Sequence, residues 1–137
     1  MKNKRHLISA FALLGALLAL PAVLAFAGQP RTIEVIADRD NRFKIPGQKG
    51  TVITAKVNEV IRFKINSRKS TEWDKDGAVH SFTVKQLKDQ GWDVRLKEGV
   101  QEFVLAAPAQ PGEYLVECLV NCGKGHDDMR LKLVVIQ

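Results

Sequence analysis

A two-residue hydrophobic period runs through nearly all of this chain after residue 27, and it limits the fold more than any other feature. Apolar and polar residues alternate around Ile33-Val35, Val52-Thr54, Val60 to Ile65 (Ile61, Phe63 and Ile65 on one face), Phe82-Val84, Phe103-Leu105 and Leu131-Leu133-Val135. Such a period lines one face of a β-strand, because successive side chains point to opposite sides of the pleat. Turn-forming residues interrupt it at short intervals: Pro46-Gly47, Lys49-Gly50, Asp76-Gly77, Gly91, Glu98-Gly99 and Pro111-Gly112. No window from residue 28 to 137 sustains the i, i+3, i+4, i+7 apolar pattern over three helical turns, which argues against thioredoxin-like and Rossmann folds. The expectation is an all-β Greek-key β-sandwich, one domain over residues 28–137, whose two sheets bury a shared apolar face.

The first 27 of the 137 residues read differently. Lys2, Lys4 and Arg5 precede an apolar stretch from Leu7 to Leu20, and Ala25-Phe26-Ala27 supplies a small-x-small pattern before Gly28. This is the layout of a signal peptide, with Pro21 and the Ala-x-Ala pattern favouring cleavage. Because about 20 apolar residues cross a bilayer, the longer run from Leu7 to Ala27 also suffices for an uncleaved N-terminal anchor. Either way the domain is expected in a periplasmic or other extracytoplasmic space. The formal charge of +6 falls to +3 when Lys2, Lys4 and Arg5 are set aside. The remaining basic residues alternate with apolar ones, as at Arg62 and Lys64 or Arg130 and Lys132, which is the pattern of solvated strand faces and not of a nucleic-acid footprint.

The residues that carry chemistry concentrate in one place. Beyond residue 27 the chain has two Cys, two His and one Met, and Cys118, Cys122, His126 and Met129 fall together as Cys-x3-Cys-x3-His-x2-Met. This loop joins strand patterns from Glu113 to Cys118 and from Leu131 to Ile136. His80 opens the alternating segment Ala78-Val79-His80-Ser81-Phe82-Thr83-Val84, where a side chain reaches a loop at the same end of a sandwich. Thiolate, imidazole and thioether form a soft ligand set that suits copper; zinc seldom takes Met, and magnesium or calcium want oxygen.

Two Cys in an exported protein are most often a disulfide, yet a disulfide accounts for neither the His-x2-Met tail nor His80. A mononuclear copper site would use Cys122, His126 and His80 with Met129 axial, leaving Cys118 as a spare thiol prone to oxidation. A copper-delivery role is a third reading of a Cys-x3-Cys pair with His. Neither a Ser/His/Asp set nor a phosphate-binding loop nor a carboxylate pair at a pocket motif points to an enzyme.

These residues resemble the CuA domain of cytochrome c oxidase subunit II, found also at the C-terminus of nitrous oxide reductase. The resemblance rests on His80-Ser81-Phe82, on Pro111-Gly112-Glu113-Tyr114, and on Cys118, Cys122, Gly123, His126 and Met129 at that family's spacing; it covers most of residues 31 to 137. It implies a cupredoxin-like fold with a dinuclear centre. Cys118 and Cys122 would bridge two copper ions, His80 and His126 would each bind one, and Met129 and the backbone carbonyl of Val120 would be weak ligands. It further implies one-electron transfer without catalysis by this chain alone, or a place in an oxidase-type complex. The implied partners are redox proteins: a c-type cytochrome, another cupredoxin or a membrane terminal reductase. Membrane contact would come only through the N-terminal segment or such a partner.

The chain departs from the family in three respects. Where Val120 stands, oxidase subunits usually carry a Glu that reaches a magnesium at the interface with the catalytic subunit, so docking onto an oxidase core is in question. Two transmembrane helices normally precede the copper domain, whereas one apolar segment does so here; a free-standing electron carrier fits better. The aromatic cluster that receives electrons in the family has no clear match. Trp73 and Trp92 are its candidates, against packing as the usual role of a loop aromatic. Asp127 and Asp128 are candidates for the hydrogen bonds that tune such a centre.

Overall fold

The computed structural model describes residues 28–137, so the signal-peptide expectation for residues 1–27 lies outside the described residues. The strands are β1 (Arg31–Ala37), β2 (Phe43–Lys44), β3 (Val52–Lys56), β4 (Val60–Ser67), β5 (His80–Thr83), β6 (Asp93–Leu96), β7 (Gly99–Ala106), β8 (Gly112–Glu117) and β9 (Arg130–Ile136). Short 3₁₀ helices occupy Lys85–Gln90 and His126–Asp128. Two sheets form, in the orders β2-β1-β4-β7 and β3-β9-β8-β5-β6. Within them β1 runs parallel to β4, and β3 parallel to β9; the other pairs are antiparallel. The chain crosses between sheets five times before the β8-β9 hairpin, which gives the Greek-key sandwich. Among the described residues no helix is long and apolar enough to cross a membrane.

The two-residue period explains the core directly. Ile61, Phe63 and Ile65 of β4 are wholly buried, as are Leu131, Leu133 and Val135 of β9, while Arg62, Lys64 and Lys132 take the other face. Between the sheets Phe82 sits against Phe43, Phe63 and Trp92, with ring centroids 5.6, 5.1 and 6.2 Å away. Trp92 is 0 % exposed, and its Nε1–H donates to the Ala106 carbonyl at 2.8 Å, tying β7 of the first sheet to the start of β6. Its role is therefore packing. Trp73 is 50 % exposed, with Lys69 Nζ 3.2 Å from its ring centroid, a cation–π contact.

Two strands differ from the alternation read in sequence. In β3 the buried side chains are Ile53 and Ala55, with Val52 and Thr54 outward, because the register sets Ile53 beside the buried Leu133. In β5 all four residues, His80 to Thr83, are buried. The strand lies between β6 and β8, so both its edges are paired. Its outer face is also covered, since Ser81 Oγ accepts the Leu119 N–H at 2.7 Å and Thr83 Oγ1 donates to Asp93 Oδ1 at 2.9 Å.

Candidate metal centre

The sheet register assembles the site. β5 and β8 are antiparallel with Thr83 opposite Glu117, and continuing that register carries His80 to the level of Val120. The loop that leaves β8 at Cys118 therefore starts beside His80. It closes on itself before β9: Met129 N–H donates to the His126 carbonyl at 3.0 Å, and Cys118 N–H donates to the Met129 carbonyl at 3.2 Å. Of the residues expected from sequence to act together, His80, Cys118, Cys122, His126 and the Val120 carbonyl converge. One ligand atom from each of His80, Cys118 and Cys122 lies within 4.8 Å of the other two. The Cys118 and Cys122 sulfurs are 3.8 Å apart, and His126 Nδ1 is 3.6 Å from Cys122 Sγ. The Val120 carbonyl oxygen is 3.3 Å from Cys118 Sγ. Met129, at the end of the loop, is fully buried.

The donor chemistry of this cluster fits a soft metal ion such as copper. Both cysteines are free thiols, and their separation far exceeds the roughly 2 Å of a disulfide bond. The His80 ring makes the clearest case. Its Nε2 lies 2.9 Å from the Arg68 carbonyl oxygen, which only accepts, so Nε2 carries the proton. Nδ1 is then a bare lone pair, and it is buried without a hydrogen-bond partner. An orphaned buried acceptor is costly unless something binds it, and this fixed tautomer is what a metal-bound imidazole needs.

Charge is also prepared. The Cys118 thiol is pulled down, first by its hydrogen bond with Cys122, against burial that raises it, and by the Ser81 N–H. That N–H donates to Cys118 Sγ at 3.3 Å. Cys122 is pushed up in turn by its contact with Cys118 and by burial. The opposite directions favour loss of one proton from the pair before the other, and a cation would stabilise the resulting negative charge.

Asp127 and Asp128, candidates from sequence for the tuning hydrogen bonds, have their side chains elsewhere. Asp128 faces Arg42, with 3.6 Å between Oδ2 and Nη1, and Asp127 is exposed at a cleft it shares with Cys118, His126, Lys85 and Arg130. The groups that do contact the site, the Ser81 N–H, the Arg68 carbonyl and Asn41, carried no sequence signal except the His80-Ser81 adjacency.

Gly123 marks how tightly the loop is held. Its φ is +107°, and a Cβ there would stand 2.1 Å from Thr71 Oγ1. Gly123→Ala is expected to lower stability by about 1–3 kcal/mol. The double variant Gly123→Ala/Thr71→Ala recovers the steric part and leaves the backbone strain, which thermal unfolding of both proteins followed by circular dichroism will read.

No protein-family model matches the chain, and no characterised protein matches it in sequence. Solved structures do resemble it. A heme-copper terminal oxidase aligns with a TM-score of 0.57 at 22% identity, over 79% of this chain and 66% of its own. The periplasmic domain of subunit II of cytochrome oxidase from Bradyrhizobium japonicum gives 0.51 at 18% identity, over 78% of this chain and 84% of that one. Reduced auracyanin from Roseiflexus castenholzii gives 0.52 at 16% identity, over 80% of this chain and 100% of the other. The fold is that of a cupredoxin. As in the sequence resemblance, both the oxidase copper domain and the small copper carriers share this sandwich. The chain spans just under two thirds of the terminal oxidase chain that it matches.

Proposed function

We propose that this chain is an extracytoplasmic copper protein that carries single electrons, with a dinuclear centre held by His80, Cys118, Cys122, His126, Met129 and the Val120 carbonyl. The observation that carries the reading is the pair of free thiols 3.8 Å apart with an imidazole at hand for each sulfur: His126 beside Cys122, and the bare Nδ1 ring of His80 grouped with Cys118. Bound to such soft donors, copper supplies a one-electron couple.

The protein's own contribution is to hold these donors still. The Arg68 carbonyl fixes the His80 ring, the Ser81 N–H stabilises negative charge on Cys118, and full burial of Cys122, Met129 and His80 keeps water away. A rigid, dry donor set changes little when one electron arrives or leaves, which favours fast exchange with a partner. The neighbouring folds, a terminal oxidase and a subunit II domain described as periplasmic, support both the electron-transfer role and the location. They also support redox proteins as partners: a c-type cytochrome, another cupredoxin or a membrane terminal reductase, which would meet it through a small transient interface.

Copper analysis and electron paramagnetic resonance of the reconstituted chain test this. Two copper ions per chain sharing one unpaired electron, with hyperfine splitting spread over both nuclei, is the expected result. One copper with the splitting of a single nucleus would move the assignment to a mononuclear carrier using Cys122, His126, His80 and Met129. Failure to retain copper would overturn both.

A further inference from the structure

We infer that Asn41, in the turn between β1 and β2, is a positioning residue that clamps the metal loop through two of its backbone carbonyls. Asn41 lies 81 residues before Cys122 in sequence, yet its Nδ2 donates to the Cys122 carbonyl at 3.2 Å and to the Lys124 carbonyl at 2.8 Å. The two acceptors fix which end of the carboxamide faces the loop, since only the nitrogen donates. The residue is 0 % exposed and its bond to the Cys122 carbonyl is buried, so water does not replace that bond when it is lost.

The turn that presents Asn41 is itself built for the purpose. Asp38 Oδ1 accepts the N–H groups of Asp40 and Arg42, and Asn41 N–H donates to the Asp38 carbonyl at 3.2 Å. These bonds hold Asn41 at φ 57°, a left-handed conformation that Asn tolerates better than other residues with a side chain. The loop fits closely around it. A Cβ on Gly125 would meet the Asp40 carbonyl oxygen at 3.0 Å and the Asn41 Cβ at 3.7 Å, and a Cβ on Gly123 would come 3.8 Å from Asn41 Nδ2. Two glycines with positive φ thus let the loop backbone approach the turn, and one carboxamide joins the two. Because one of the clamped carbonyls belongs to Cys122 itself, the clamp sets where that sulfur stands relative to Cys118 and His126. It also aims the positive end of an N–H dipole at the backbone of a ligand.

The inference rests on the copper reading for its functional meaning, but the clamp is testable without metal. Asn41→Gly keeps the left-handed turn at no steric cost and deletes only the donor, whereas Asn41→Ala loses both. In the metal-free full chain, alkylation of the buried Cys122 thiol by iodoacetamide is expected to accelerate roughly ten- to a hundredfold in either variant, the consequence of freeing one buried and one part-buried carbonyl. In the copper-loaded chain, both variants are expected to release copper to a chelator faster than the parent by a similar factor. Both should also show a reduction potential shifted downward, which a merely structural role for the turn would not produce. Asn41→Gly behaving as the parent in alkylation would overturn the clamp, whatever the parent does with copper. Faster alkylation with an unchanged potential would overturn the positioning role. A parent that binds no copper but shows the alkylation effect would sink the copper reading alone and leave the clamp standing.

Discussion

Replacing Cys118 with serine is expected to leave at most one copper per chain and to abolish the spectrum of a shared electron, while replacing Cys122 removes stable copper binding altogether. The asymmetry follows from geometry. Cys122 lies between two candidate ligands, 3.8 Å from Cys118 Sγ and 3.6 Å from His126 Nδ1, and is fully buried. A serine hydroxyl there is harder, stays protonated at neutral pH and offers a soft ion little. The loss in affinity should exceed roughly a hundredfold, the upper end of what removing an outer hydrogen-bond partner of a metal ligand costs. At Cys118 the outcome separates the two copper readings. If this thiol bridges, Cys118→Ser loses one metal and the mixed-valence signal. If it is spare, the variant keeps one copper and the parent spectrum, and the dinuclear assignment fails. Copper content and electron paramagnetic resonance of the two variants beside the parent decide it.

Phe82→Ala carries the largest expected effect on stability. Phe82 is wholly buried and is the ring against which Phe43, Phe63 and Trp92 all pack, at 5.6, 5.1 and 6.2 Å between centroids. Truncating such a side chain costs about 3–5 kcal/mol in transfer and cavity terms. For a domain of this size that lowers Tm by roughly 12–20 °C, a large part of the 5–15 kcal/mol that holds a typical domain together. Phe82 also lies two residues from His80 on β5. Copper added at low temperature should raise Tm in the variant by mass action, and by less than in the parent if the cavity loosens His80. Calorimetric scans with and without copper will show it. A Tm within a few degrees of the parent would mean that the aromatic cluster is not the centre of the core.

The strands were readable because a sandwich exposes one face of each sheet and buries the other, which writes a two-residue period into the chain. Where burial departs from that rule, so does legibility. In β3 the outward Val52 hides the true inward pair, Ile53 and Ala55. β5 loses its alternation because Ser81 and Thr83 are covered from outside by Leu119 and Asp93. Asp93 to Leu96 alternates as a strand should, but it is short and sits between turn signals, so only its pairing with β5 establishes it as β6. Trp92 had two readings in sequence; the hydrogen bond to Ala106 and the rings around it assign it to the core.

The sequence by itself determined the ingredients of the site: a Cys-x3-Cys-x3-His-x2-Met loop between two strands, and one further histidine at the head of another. Ligand identity is a property of residue types and local spacing, both of which are one-dimensional. The tertiary structure alone decided how those ingredients stand: the β5–β8 register that brings His80 level with the loop, the 3.8 Å between sulfurs, the bare Nδ1 of His80, and the reach of Asn41 across 81 residues to Cys122. These are relations between segments far apart in the chain. They exist only once two sheets have packed and excluded water, because only then does a missing hydrogen bond become costly enough to fix a tautomer, a carboxamide or a loop.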